Sequence, residues 1–206
     1  VAAAGDVTVY ACVRDRAANS VLLSDIVHVD KIPPSGSVVI YGKDPTNNPT
    51  VTLVITASND VEQMAIANGD SLNCNTAIYE TFSTSRTWNL ESETGTQTVT
   101  VCLKDSADNL NQSIIQDSVY LDLIAPSATV KIGNGTSPIN TQTVTLNFSF
   151  VADQRSRAIG DNDIKELKVE NGTNINCKDT TGWQGRVTSI NNWLLSSPSG
   201  TGGNSG

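Results

Sequence analysis

GTQTVTVCLKDSADNLNQSIIQDSVYLDLIAPSATVKI, from Gly95 to Ile132, is a second copy of GDVTVYACVRDRAANSVLLSDIVHVDKIPPSGSVVI, from Gly5 to Ile40. Cys12 falls on Cys102, Asp15 on Asp105 and Asn19 on Asn109, each pair 90 residues apart, whereas Asp30 falls on Asp122 and Pro34 on Pro126, 92 apart. A period of this length means that each copy belongs to one folding unit, so it governs every later reading. The remainder of the unit also recurs. TVTLVI from Thr50 aligns with TVTLNF from Thr143, VEQMAIANGDSLNC ending at Cys74 aligns with IKELKVENGTNINC ending at Cys177, and Trp88 corresponds to Trp193. One full unit runs from about Pro33 to Asp122, with the last third of a unit before it and the first two-thirds of another after it. The sequence is cut out of phase with its own repeat.

Within the full unit, alternation of apolar and polar residues with β-branched enrichment predicts strands at Ser37 to Tyr41, Thr50 to Ala57, Val61 to Ala67, Ser85 to Leu90, Gln97 to Lys104 and Gln112 to Asp122. Turn formers separate them, as in GKDPTNNP and DSADN. No helical period stands out; Asp163 to Val169, the best candidate, aligns with a strand of the full unit. Short strands at close spacing and few aromatic residues fit an all-β fold of two-sheet sandwiches. The expected core face carries Val38, Ile40, Val51, Leu53, Ile55, Met64, Ile66, Trp88, Leu90, Val99, Val101, Leu103, Val119 and Leu121. Trp88 and Trp193 are both expected to be buried.

Composition narrows the function. The net charge is −8, with 13 Lys plus Arg against 21 Asp plus Glu, which opposes phosphate backbones and anionic lipid and argues against nucleic-acid or membrane-surface partners. No uncharged apolar run approaches the ~20 residues needed to span a bilayer. The amino terminus lacks the features of an uncleaved signal peptide, so the chain reads as already processed or cut from a longer one. A single histidine, His28, and four cysteines make a Ser-His-Asp set or a His-rich metal site hard to assemble. A charged fraction of 17% leaves few acid–base groups, so no enzymatic activity is expected.

The pattern VEQMAIANG, then TWNL, then GTQTVTVCLKDSADN, then DSVYLDLIAPSATV resembles the Ig-like, fibronectin-III-like tandem modules of prokaryotic surface and extracellular proteins. The resemblance implies residues 1–31 as the last two strands of a module, 32–125 as a complete sandwich and 126–206 as the first strands of an incomplete one. The chain departs from the usual hairpin of these modules in having Ala18 and Asp108 where glycine is usual, and in carrying cysteines. Strand parity sets Cys102 opposite in facing to Val99, Val101 and Leu103, and Cys12 opposite to Val9, Ala11 and Val13, which puts the thiols outside the sheet-to-sheet core. Cys74 is then expected to bridge to Cys102 on the outer face, because their strands adjoin in this sandwich type, with roughly 3 kcal/mol from loop closure; the alternative is four unpaired, half-buried thiols. Repeat equivalence pairs Cys12 with Cys177 between subunits or adjacent repeats. Paired cysteines imply an oxidising compartment, extracellular or at the cell surface.

No cofactor is expected. The acidic groups Asp161, Asn162 and Asp163, and Asp105, Asp108 and Asn109, offer calcium its preferred oxygen ligands but lack EF-hand spacing, and turn formation explains both. Asn-x-Ser/Thr sequons at Asn111, Asn134, Asn147 and Asn171 permit glycosylation by position, while the Asn and Ser/Thr content accounts for their number.

A sandwich split before its last two strands exposes sheet edges and an apolar groove, which strand addition would fill. The amino-terminal segment supplies such strands, with Val9, Ala11, Val13, Val27 and Val29 as the donor-strand core. Three readings follow. The strands of one subunit complete the open module of the next, giving a head-to-tail homopolymer. Alternatively, the sequence is a window of a long tandem array. In the third reading the modules are binding or spacer accessories of a larger adhesin or carbohydrate-active surface enzyme, with glycan as the partner.

Overall fold

The computed structural model describes residues 4–135, 139–151, 164–172 and 175–196. These residues form strands and no helix, so the fold is all-β. The chain divides into two compact units, Val1–Leu123 and Ile124–Gly206.

Unit 1 opens with β1 (Gly5–Arg14) and β2 (Ser20–Val29), a two-stranded antiparallel hairpin. It continues through β3 (Gly36–Tyr41), β4 (Thr50–Ala57), β5 (Val61–Asn68), β6 (Glu80–Thr81), β7 (Ser85–Asn89), β8 (Gly95–Asp105) and β9 (Ile115–Leu121). These last seven strands make two sheets, β3-β4-β7 and β6-β5-β8-β9. Period-2 alternation explains the faces: in β4 Val51, Leu53 and Ile55 turn inward while Thr50, Val54 and Thr56 stay exposed. One core joins both sheets, with Val38, Leu53 and Ile55 from the first and Met64, Val99, Val101, Leu103, Val119 and Leu121 from the second. Gly36 allows a close approach here, because a Cβ at that position would fall 2.6 Å from Leu103 Cδ1 and against the Thr56 carbonyl.

The structure corrects several expectations. Ile40, Ile66 and Trp88 are half-buried rather than inside, and Ile115 joins the core. The last strand starts at Ile115 and not at Gln112, because Asn111 reaches back to accept the Leu103 N–H at 2.7 Å and holds the preceding residues off the ladder. Cys102 lies outside the main core, as its parity requires, yet it is fully buried. The segment after β5 covers that outer face: Thr100 Oγ1 donates to the Gly69 carbonyl, Cys74 bonds to Cys102, and Lys104 stacks over the Tyr79 ring. Burial there raises the Tyr79 pKa above the ordinary tyrosine value.

Unit 2 contains β10 (Ser127–Ile132), β11 (Thr143–Val151), β12 (Glu166–Leu167), β13 (Gln184–Gly185) and β14 (Ser189–Leu194). They pair as β10-β11-β14 and β12-β13. This is the order β3-β4-β7 and β5-β6 of unit 1, with no counterpart of β8 and β9 among the described residues. A small core survives in Val144, Leu146 and Leu167. The helical candidate at 163–169 contains only the short strand Glu166–Leu167, and Asp163 lies outside the described residues.

Candidate functional site

The β8–β9 pair defines what the sandwich needs from its last two strands. Gly95 pairs with Leu121, Val99 with Asp117 and Val101 with Ile115. Asp117 crosses to the other sheet, where its Oδ2 accepts the Ile40 N–H at 2.7 Å. That bond satisfies an edge amide of β3 which would otherwise lack a ladder partner.

The β1–β2 hairpin has the same register. Gly5 pairs with Val29, Val9 with Asp25 and Ala11 with Leu23. Its turn is also a duplicate at atomic detail. Asp15 Oδ1 accepts the Ala17 and Asn19 N–H groups, each at 2.9 Å, and Oδ2 accepts Asn19 Nδ2. Asp105 makes the same bonds to Ala107 and Asn109. Ala18 and Asp108 take the same left-handed conformation, φ 70° and 64°, so the turn forms without the usual glycine because the aspartate side chain organises it. The Asn19 side-chain hydrogen bond, followed by the backbone bond to the same residue, holds the Asp15 pKa below its ordinary value. Between Asn109 and Ile115 the full module carries two residues more than the hairpin does between Asn19 and Leu23. That insertion accounts for the drift from 90 to 92 in the repeat offset.

The two copies differ in burial. Val99, Val101 and Leu103 are fully buried, whereas Val9 is 61%, Val13 53% and Val27 54% exposed. Ala11 is exposed as well, and Val29 is partly buried. Leu22, Leu23 and Ile26 add further apolar surface. Together these side chains give the hairpin an extended exposed apolar surface. Asp25, the counterpart of Asp117, accepts the neighbouring Ile26 N–H.

The face that β9 covers in the full module is open in unit 2. Val38 is 5% exposed and its counterpart Val130 57%; Ile132, the counterpart of half-buried Ile40, is 44% exposed. The supporting scaffold is nonetheless intact. Trp88 Nε1 donates to Asn68 Oδ1 at 2.7 Å while Asn68 Nδ2 donates to the Asn89 carbonyl; Trp193 does the same with Asn171 at 2.9 Å, and Asn171 Nδ2 donates to the Leu194 carbonyl. Both indoles are half-buried, not buried as expected, because their N–H edges turn toward these asparagines. Lys168 replaces Ala65. Its side chain is nearly buried, with Nζ 3.0 Å from Glu170 and 3.4 Å from Asp179. The Glu170 hydrogen bond, opposed by burial and reinforced by Asp179, raises its pKa above the ordinary lysine value.

At three places, residues that meet in unit 1 have repeat counterparts that change together. Gly36 and Leu103 touch in unit 1; their counterparts are Ala128 and Val13, so a carbon added on one side is removed on the other. Core residues Ile55 and Val101 become Phe148 and Ala11. The cross-strand neighbours Gln63 and Lys104 become Glu166 and Arg14, an oppositely charged pair.

Cys74 and Cys102 form a disulfide, while Cys12 and Cys177 are unpaired and exposed in the single chain. Among the sequons, Asn134 and Asn147 are exposed, with Asn147 Nδ2 donating to the Gly133 carbonyl. Asn111 is partly buried and Asn171 exposed, and both use their side-chain amides in the hydrogen bonds above or, for Asn111, also to the Ser113 carbonyl. Asp105 is consumed by its turn and Asp108 pairs with Lys104, while Asp161, Asn162 and Asp163 lie outside the described residues. A different grouping arises only in three dimensions: carboxylate oxygens of Asp30, Asp60 and Asp105 lie within 4.8 Å of one another. Sequence reading missed it, because Asp30 and Asp60 come from separate loops and Asp105 from the end of β8. His28 contacts Asp6 at 2.8 Å on an exposed surface. Comparison with known proteins gives no match: no family model, no curated protein and no solved structure matches this chain.

Proposed function

We propose that this chain is a structural subunit, or repeat unit, of an extracellular filament or cell-surface fibre of Ig-like modules, joined head to tail by β-strand complementation. The β1–β2 hairpin of one unit takes the place of β8–β9 in unit 2 of its neighbour. The observation that carries this reading is the shared register of β1–β2 and β8–β9, set beside a unit 2 whose described strands match every strand of the full module except those two. The compensating pairs Ala128 with Val13 and Glu166 with Arg14 support the same assignment. Transposing the β5–β8 ladder places Leu167 opposite Val13, Val169 opposite Ala11 and Asn171 opposite Val9. Asp25 then meets the Ile132 N–H as Asp117 meets that of Ile40. Main-chain hydrogen bonds supply affinity in such joints, and alternate side chains in pockets supply specificity. A heterologous contact of this kind repeats from copy to copy, and it builds a fibre where its rotation does not close into a ring.

Sedimentation and negative-stain microscopy of the full chain test the proposal. The chain is expected to form linear polymers, and Val9→Asp, at a position exposed in the single chain, is expected to leave it folded and monomeric. A chain that stays monomeric at all concentrations, or a Val9→Asp variant that polymerises as well as the parent, overturns the reading.

A further inference from the structure

Cys177 is presented by the same turn that presents Cys74. Asn73 Oδ1 accepts the Asn75 N–H at 3.0 Å and the Asn73 carbonyl accepts the Thr76 N–H. Asn176 Oδ1 accepts the Lys178 N–H at 3.0 Å and the Asn176 carbonyl accepts the Asp179 N–H. The turn in unit 2 is therefore formed although its cysteine has no partner in the chain. In unit 1 the partner, Cys102, lies opposite Ala65 of β5. The same ladder, laid on unit 2, places Cys12 opposite Lys168, the counterpart of Ala65. Cys12 and Cys177 then stand to each other as Cys102 and Cys74 do, a pair whose Cα atoms are 5.5 Å apart and within the range a disulfide requires.

We infer that Cys12 of one copy and Cys177 of the next form a disulfide that locks the strand-donation joint; this rests on the head-to-tail reading above. The bond forms by exchange with a small-molecule disulfide. One cysteine thiolate attacks the small disulfide and releases one thiol, and the second cysteine thiolate then displaces the other thiol from the mixed disulfide. Two protein thiols are oxidised to one disulfide, and one small disulfide is reduced to two thiols. Docking must come first, because neither cysteine has a partner within the single chain. The joint is thus reversible in reducing conditions and permanent in oxidising ones.

The test uses the full chain, mixed from isotopically heavy and light preparations, assembled in a buffer of oxidised and reduced glutathione and digested without reduction. A crosslinked peptide pair containing Cys12 and Cys177, with half the pairs combining heavy and light partners, supports the lock. Cys12→Ser and Cys177→Ser should each abolish the denaturant-resistant ladder on a non-reducing gel while linear polymers persist by sedimentation. Polymers in which both thiols stay free, or in which Cys12 is linked to another Cys12, overturn the lock and leave strand donation standing. Linked pairs without isotope mixing place the bond within one chain and overturn it too. Absence of both polymers and linked peptides removes the lock together with the head-to-tail reading.

Discussion

Val38 and Val130 occupy one position of the repeat in two states of completion, so the same truncation should act on different equilibria. Val38 is 5% exposed, and Val38→Ala removes two buried methylene equivalents, a loss of about 2 kcal/mol once a residual cavity is included. Val130 is 57% exposed, so less than half of that, about 0.7 kcal/mol, is at stake in the single chain. If a donated β2 covers Val130 as β9 covers Val38, the remaining ~1.3 kcal/mol is realised only on assembly, which is about a tenfold change in the association constant. The measurement is best made with Cys12 and Cys177 both changed to serine, so that no disulfide masks affinity. Hydrogen exchange resolved by peptide gives the stability of each unit in dilute solution, and sedimentation across a concentration series gives the assembly midpoint. Val38→Ala should destabilise unit 1 by about 2 kcal/mol, and Val130→Ala should cost unit 2 only about 0.7 kcal/mol while raising the assembly midpoint about tenfold. Equal destabilisation of the two units, or an unmoved assembly midpoint, would refute the view that the face bearing Val130 is completed by a neighbour.

In the same serine background, Cys74→Ala opens a 28-residue crosslink and should cost unit 1 about 3.5 kcal/mol in the chain-entropy account; urea unfolding measures it, and a loss below about 1 kcal/mol would show that the covering segment is held by its other contacts. Asn68→Leu strips the Trp88 indole N–H and the Asn89 carbonyl of their shared partner, with an expected loss of about 1–3 kcal/mol, and an unchanged unfolding midpoint would mean that water serves both groups equally well. The Asp15 carboxyl, held below its ordinary pKa by Asn19, stabilises the hairpin turn fully above its unfolded-state pKa, and that stabilisation disappears as pH falls through the depressed folded value. A carbon-detected titration of Asp15 should find its midpoint below that of an unstructured aspartate; a midpoint at or above it contradicts the bonding seen in the turn.

The alternating valines, threonines and leucines of TVTLVITA and GTQTVTVCLKD are enough to place β4 and β8 and to choose their inward faces, because side chains in a strand point to alternate sides whatever the rest of the chain does. The repeat was legible too, and with it the equivalence of Cys74 with Cys177 and of Cys102 with Cys12, since identity at fixed spacing is a property of the sequence alone. What covers a face is another matter. Cys102 was expected away from the core and it is, but its complete burial comes from the Gly69–Tyr79 segment folding back over it. Trp88 has the apolar ring of a core residue, and an indole N–H that must be satisfied draws its edge out to Asn68. The two-residue insertion near Asn111 reads as a continuation of β9 in sequence; the reach of the Asn111 side chain to the Leu103 amide goes with a loop there instead, and the strand begins only at Ile115. Asp30 and Asp60, from two loops, and Asp105, from the end of β8, gather where no periodicity connects them. Local alternation determined which way each side chain points, and the tertiary structure decided whether anything lies there to meet it, because coverage depends on segments distant in the chain.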